Sequence, residues 1–162
     1  RPGRSRTNSW VYGDNIISWG ILPTKSDLPQ SPDELSIYAI EGYWTGKSQN
    51  FRRYSIRVDG FVSAQAPLSG GEFVTKPIVF KGSQLELNYS TSAAGSIHVE
   101  IQDAEGKPIP DHTLADCHEI FGDEIQRTVA WKNGESVKQV EGTPVRLRFV
   151  LKDADLYSFR FH

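Results

Sequence analysis

The chain has 162 residues, 18 of them basic and 20 acidic, for a formal charge of −2, so it lacks the basic surplus that holds a nucleic-acid backbone or an anionic membrane surface. Hydrophobic residues make up 38% of the sequence but are interspersed with charge, and no run approaches the roughly 18 apolar residues of a membrane span; neither a nucleic-acid partner nor a membrane partner is expected. One cysteine, Cys117, excludes an intrachain disulfide and leaves the redox compartment open.

The chain begins RPGRSRTNSW and contains no methionine. That start lacks the basic, apolar and small-residue order of a secretory signal, which suggests a mature or trimmed piece of a longer product. The first third then carries two continuous apolar runs, NIISWGIL and ELSIYAI, of the kind expected of strands covered on both faces. Between them, PTKSDLPQSPDE reads as an exposed loop, because its prolines remove backbone donors. The second run ends at Glu41, with Tyr43 and Trp44 just beyond. Aromatic faces stack on the C–H face of a sugar ring while a carboxylate accepts from its hydroxyls, so Glu41, Tyr43 and Trp44 form a candidate carbohydrate site. The plainer alternative is that Trp44 extends the Tyr38 and Ile40 face and that Glu41 meets Arg52 or Arg53.

From Ser83 onward alternation dominates. Leu85, Leu87 and Tyr89, then Ile97, Val99 and Ile101, fall on every second residue, the period of half-buried strands. Ala93-Ala94-Gly95 reads as a hairpin connection between these runs, and Asp103 to Gly106 as a turn closing the second. No window sustains a 3.6-residue apolar period, so at most one helical turn is expected, near Leu114 to Ile120. Val129 and Trp131 share parity with Ile125 and Arg127, and Asn133-Gly134 follows as a hairpin dipeptide. Val145, Leu147, Phe149 and Leu151 form another strand; Asp153-Ala154-Asp155 is expected to turn the chain into a last strand bearing Tyr157, Phe159 and Phe161.

Short strands at spacings of about 8 to 12 residues predict an all-β fold, an antiparallel β-sandwich of jelly-roll-like type with an N-terminal β extension. The division expected is residues 1–56, N-terminal strands, and 57–162, the sandwich. Besides Glu41, Tyr43 and Trp44, the richest polar stretch is DCHEIFGDE, which nominates His118, Asp123 and Glu124 for ligand recognition. It lacks paired zinc-ligand spacing, and a solvated loop around a buried Cys117 is the plainer reading. Asp153 and Asp155 offer the hard oxygen donors of a structural Ca2+ site, against simple turn formation. No Walker, dinucleotide or Gly-x-Ser-x-Gly motif occurs, and a glycosidase carboxylate pair cannot be ranked among 20 acids.

Three stretches, PDELSIYAIEGYWTG with FRRYSIRVDGFVSAQAP, GGEFVTKPIVFKGSQLELNYSTSAAGSIHVEIQDAEGKPIP, and FGDEI with TPVRLRFVLKDADLYSFRF, together resemble the C-terminal part of proteins related to glycoside hydrolase families 32 and 43, in which a five-bladed β-propeller precedes a β-sandwich. The resemblance implies a secreted or extracellular accessory module, with a polysaccharide or oligosaccharide and a propeller catalytic domain ahead of Arg1 as partners. It places the family's catalytic carboxylates on earlier blades, so no catalytic residue is assigned here. A hydrolase using acids of the Asp116 to Glu124 cluster and a purely structural domain are the alternatives.

Overall fold

The computed structural model describes residues 16–41 and 50–162. The described chain is all-β and antiparallel, the sandwich-type class that its alternation predicts. It divides into two compact units, Arg1–Val58 and Asp59–His162.

In the first unit β1 (Ile16–Ile17), β2 (Leu22–Thr24), β3 (Glu34–Glu41) and β4 (Asn50–Arg57) form one sheet. The register of β3 on β4 opposes Ile40 to Phe51 and Tyr38 to Arg53. Directly opposed residues share a face, so Glu34, Ser36, Tyr38 and Ile40 lie with Phe51, Arg53 and Ser55, whereas Leu35, Ile37, Ala39 and Glu41 lie with Arg52, Tyr54 and Ile56. The first face has an apolar end, where Tyr38 stacks on Phe51 at 5.4 Å, and a polar end. There Arg53 donates to the Ser36 hydroxyl (2.8 Å), Thr24 Oγ1 (3.0 Å) and Glu34 Oε2 (3.0 Å). The proline-rich loop is tied to it through Arg53 to Asp27 and is clasped within itself by Lys25 to Asp33. Full coverage of the NIISWGIL run is not found: Ile16, Ile17, Ile21 and Leu22 are exposed and Trp19 entirely so. The run is broken into strands of two and three residues, which flank β3 end to end on a single side and leave little sheet to cover them.

The second unit is one five-stranded sheet of β5 (Ala64–Ala66), β6 (Gly71–Val74), β7 (Leu85–Asp103), β8 (Asp123–Thr128) and β9 (Val145–Phe161). β7 and β9 run antiparallel along their whole lengths, with β5 and β6 end to end on the outer edge of β9. This corrects two expectations. Ala93-Ala94-Gly95 is not a hairpin but a bulge inside the continuous β7, and Asp153 to Asp155 does not turn the chain but lies within β9. The two irregularities face each other: pairing passes from Thr91 opposite Ala154 to Ser96 opposite Lys152, with Asp153 at φ 42°. Backbone of β9 packs so closely on Gly95 that a Cβ there would overlap the Asp153 carbonyl oxygen and sit 2.8 Å from that of Lys152.

A second bulge follows. Asn88 pairs with Ser158 but Tyr89 with Leu156, so Tyr157 is the extra residue and β9 changes phase again. The inward set therefore reads Val145, Leu147, Phe149, Leu151, then Ala154 and Leu156, then Phe159 and Phe161 packed against the core. The segment between β7 and β9 covers this set with Cys117, Ile120, Val129, Trp131, Val137 and Val140. Its turns differ in detail from the sequence reading. Trp131 and Gly134 exchange backbone hydrogen bonds around Lys132 and Asn133, with Gly134 rather than Asn133 at positive φ, 117°, the arrangement of a type I turn closed by a glycine bulge. The amides of Asp116 and Cys117 both return to the Thr113 carbonyl, giving the single turn expected there, and a short 3₁₀ turn at Lys138–Val140 was not foreseen.

Candidate functional site

Glu41 lies on the face of β3 that carries Arg52 and Tyr54. The Arg52 Nε donates to Glu41 Oε2 at 2.8 Å, and the Tyr54 hydroxyl donates to Oε1. Both carboxylate oxygens are thus held by neighbours on β4, the plainer of the two alternatives for this acid. Tyr43 and Trp44 lie outside the described residues.

The DCHEIFGDE stretch does not converge on one point. Asp116 accepts from the Thr113 hydroxyl at 2.7 Å and from Lys132 Nζ at 3.3 Å; the Thr113 bond above all, with Lys132 beside it, holds the carboxyl below its usual range. His118 is exposed, and its amide donates to the Ala130 carbonyl at 3.0 Å. Asp123 and Glu124 open β8. Glu124 Oε1 stands 3.4 Å from the Tyr89 hydroxyl and 3.5 Å from Arg127, while that hydroxyl donates to the Phe121 carbonyl at 2.8 Å. Burial first, then the Glu124 charge, pushes the Tyr89 phenol up to about 12. Cys117 is buried, its sulfur accepting the Val99 amide at 3.3 Å, and burial pushes the thiol up to about 11. Among the described residues no three or more His, Cys, Asp or Glu side chains gather as a metal-holding group. Asp155, one of the two calcium candidates, accepts from the Ser63 hydroxyl at 2.6 Å, while Asp153 occupies the β9 bulge.

An open concavity lies elsewhere in the second unit. A groove of about 530 Å³ is lined by Val62, Ser63, Phe73, Tyr157, Ser158 and Phe159, with Ala64 and Leu156 at its base. Three features of the fold make it. β5 begins only opposite Leu156, so pairing with β9 stops there; β6 brings Phe73 alongside; and the bulge at Tyr157 lets both Leu156 and Phe159 reach the core side. Two of its lining rings are joined through the core, Phe73 stacking on Phe149 at 5.0 Å and Phe149 meeting Phe159 at 5.5 Å. Of the lining residues, Ser63 donates its hydroxyl proton to Asp155 and Ser158 donates to Asp59 Oδ2 at 2.9 Å. Sequence reasoning placed Tyr157 and Phe159 on a strand without marking them as a site. The signal it could have used is the paired acids and serines around them, but the partners stand 92 and 99 residues apart in the chain.

The carboxylates with a resolved shift, Glu34, Asp116 and Glu141, are all held below their ordinary range, by Ser26, Thr113 and Lys138 respectively as the leading cause. No protein-family model, curated protein or solved structure matches the chain.

Proposed function

We propose that this chain is a carbohydrate-associated β-sandwich module that acts by binding rather than by bond cleavage. The observation that carries the reading is the groove of the second unit, whose lining combines Phe73, Tyr157 and Phe159 with Ser63 and Ser158. An apolar ring surface with a few polar groups at its margin suits a ligand that is apolar on one face and hydroxylated at its edges.

Calorimetry and affinity electrophoresis of the full chain against fructans, arabinans, xylans and sulfated glycans test this. Binding in the micromolar to millimolar range is expected of one shallow site, with no release of reducing ends. Silence across the panel from folded protein would overturn it.

A second reading, a buttress for a propeller catalytic domain, is favoured by the exposed apolar side chains of the first unit, Ile16, Ile17, Trp19, Ile21 and Leu22. Apolar groups collected in this way are characteristic of interaction surfaces. That reading predicts that Trp19→Ser weakens association with such a domain and leaves glycan binding unchanged.

A further inference from the structure

We infer that Asn133 is a deamidation site, its side chain attacked by the Gly134 amide and the product opened by water, and that the folded turn holds this site shut with the help of Asp111.

Of the five asparagines in the chain, only Asn133 precedes a glycine. The reaction is intramolecular. The Gly134 nitrogen loses its proton and bonds to Asn133 Cγ, the Cγ–Nδ2 bond breaks, and ammonia leaves with that proton; one water then opens the resulting cyclic imide. Cleavage at Cγ gives an aspartate, and cleavage at the backbone carbonyl gives an isoaspartate whose main chain runs through Cβ and Cγ. A side chain on the following residue would crowd the attack, and glycine has none. Asn133 is exposed, and no atom lies within 4 Å of where a Gly134 Cβ would stand, so neither burial nor packing keeps water away.

What restrains the reaction is the hydrogen bonding of the turn. The Gly134 amide, the attacking group, donates to the Trp131 carbonyl at 2.9 Å. Asn133 Nδ2, the leaving group, donates to Asp111 Oδ1 at 2.5 Å. Both bonds must loosen before the nitrogen and Cγ can meet. Their far ends are anchored, because Trp131 is buried and meets His112, the neighbour of Asp111, edge-on at 4.8 Å. After the reaction the same contact works against the fold. A new carboxylate at position 133 has no proton to donate and faces Asp111 where an amide stood, so the turn closes less well around the product than around the asparagine.

The test holds the full chain at mildly alkaline pH, in buffer and in guanidinium chloride, and follows by peptide mass spectrometry the conversion of amide to acid at Asn133. With two hydrogen bonds closing the turn, the folded chain should deamidate about tenfold to a hundredfold more slowly than the unfolded one. Asp111→Gly removes the carboxylate, and glycine accepts the φ of 67° found there. It should speed the reaction of the folded chain about threefold to tenfold and leave the rate in denaturant unchanged. Asn133→Asp imitates the product and should melt about 2–5 °C below the parent; adding Asp111→Asn, which restores an amide opposite the acid, should recover most of that loss. Melting curves confirm that each variant folds. Equal rates in the folded and unfolded chain would overturn the gating, and no acceleration by Asp111→Gly would overturn the part played by Asp111. An Asn133→Asp variant as stable as the parent would remove the cost to the fold, and an Asn133 that stays intact in the unfolded chain would remove the site altogether.

Discussion

Val99 shows how single side chains complete this sheet. On one side it pairs with Phe149 of β9; on the other, β8 pairs only with the β7 stretch from Glu86 to Ser90, and the backbone groups of Val99 find side chains instead. Its amide donates to Cys117 Sγ at 3.3 Å, and its carbonyl accepts from Trp131 Nε1 at 3.0 Å. Trp131 is 1% exposed and meets the buried His112 edge-on at 4.8 Å. Trp131→Ala therefore removes a large buried ring and leaves the Val99 carbonyl without this donor, and should cost about 3–5 kcal/mol in urea unfolding. A loss below about 1 kcal/mol would contradict this account of the core. The parity of Trp131 with Val129 made its burial legible in the sequence, whereas its bond to Val99 was not, because nothing local connects positions 99 and 131. Cys117 follows the same logic: a buried thiol pushed up to about 11 should stay inert to thiol reagents at neutral pH until the protein is denatured. Rapid stoichiometric labelling of native protein would refute that.

At the scale of elements, alternation located the long strands but concealed how they continue. From Val145 to Phe161 the apolar odd positions look like two strands joined by an acidic turn, yet β9 is one strand whose phase changes at Asp153, opposite the surplus residues of β7, and again at its own extra residue, Tyr157. Each change inverts the inward face, and two inversions cancel, so Phe159 and Phe161 return to the parity of Val145. A period-two pattern is blind to such a pair. Ala93-Ala94-Gly95 misled for a related reason: small residues mark a turn in isolation, while here they allow β7 to bulge against Lys152 and Asp153. The glycine in this arrangement is testable. Gly95→Ala must displace the β9 backbone and should destabilise by about 1–3 kcal/mol, whereas Ala93→Gly, at an exposed position, should change stability by less than about 1 kcal/mol. Equal effects of the two would remove the bulge from the explanation. The same phase change is why the groove escaped sequence reasoning: Tyr157 looks like a paired inward residue by parity and is instead the unpaired residue of the bulge.

The whole molecule should show a stability plateau bounded by identifiable groups. Glu34, in the first unit, and Asp116 and Glu141, in the second, have depressed folded values. Their contribution is therefore complete above the ordinary carboxylate range and is lost as pH falls through it. Cys117 and Tyr89 are raised, from 9.0 to about 11 and from 10.0 to about 12. Their contribution is complete below pH 9 and is lost as pH rises, first across the thiol and then across the phenol. Denaturant midpoints measured from pH 3 to 11 should be flat between about 5 and 9 and fall on both sides; a steady rise above pH 9 would contradict the burial of both groups. The arrangement of β5 on β9 also governs how the second unit answers force. Because the strands are antiparallel and Ala64 lies opposite Leu156, with Asp59 bonded to Ser158 nearby, the entering chain and the departing chain leave from the same end. A tether pulling those two ends apart loads the β5–β9 pairing as a zipper, one hydrogen bond at a time, and the long β7–β9 pairing never bears the load in shear at the outset. A core this densely buried would then resist heat and denaturant while yielding early to tension, its mechanical strength set by the direction of pull rather than by the stability of the fold.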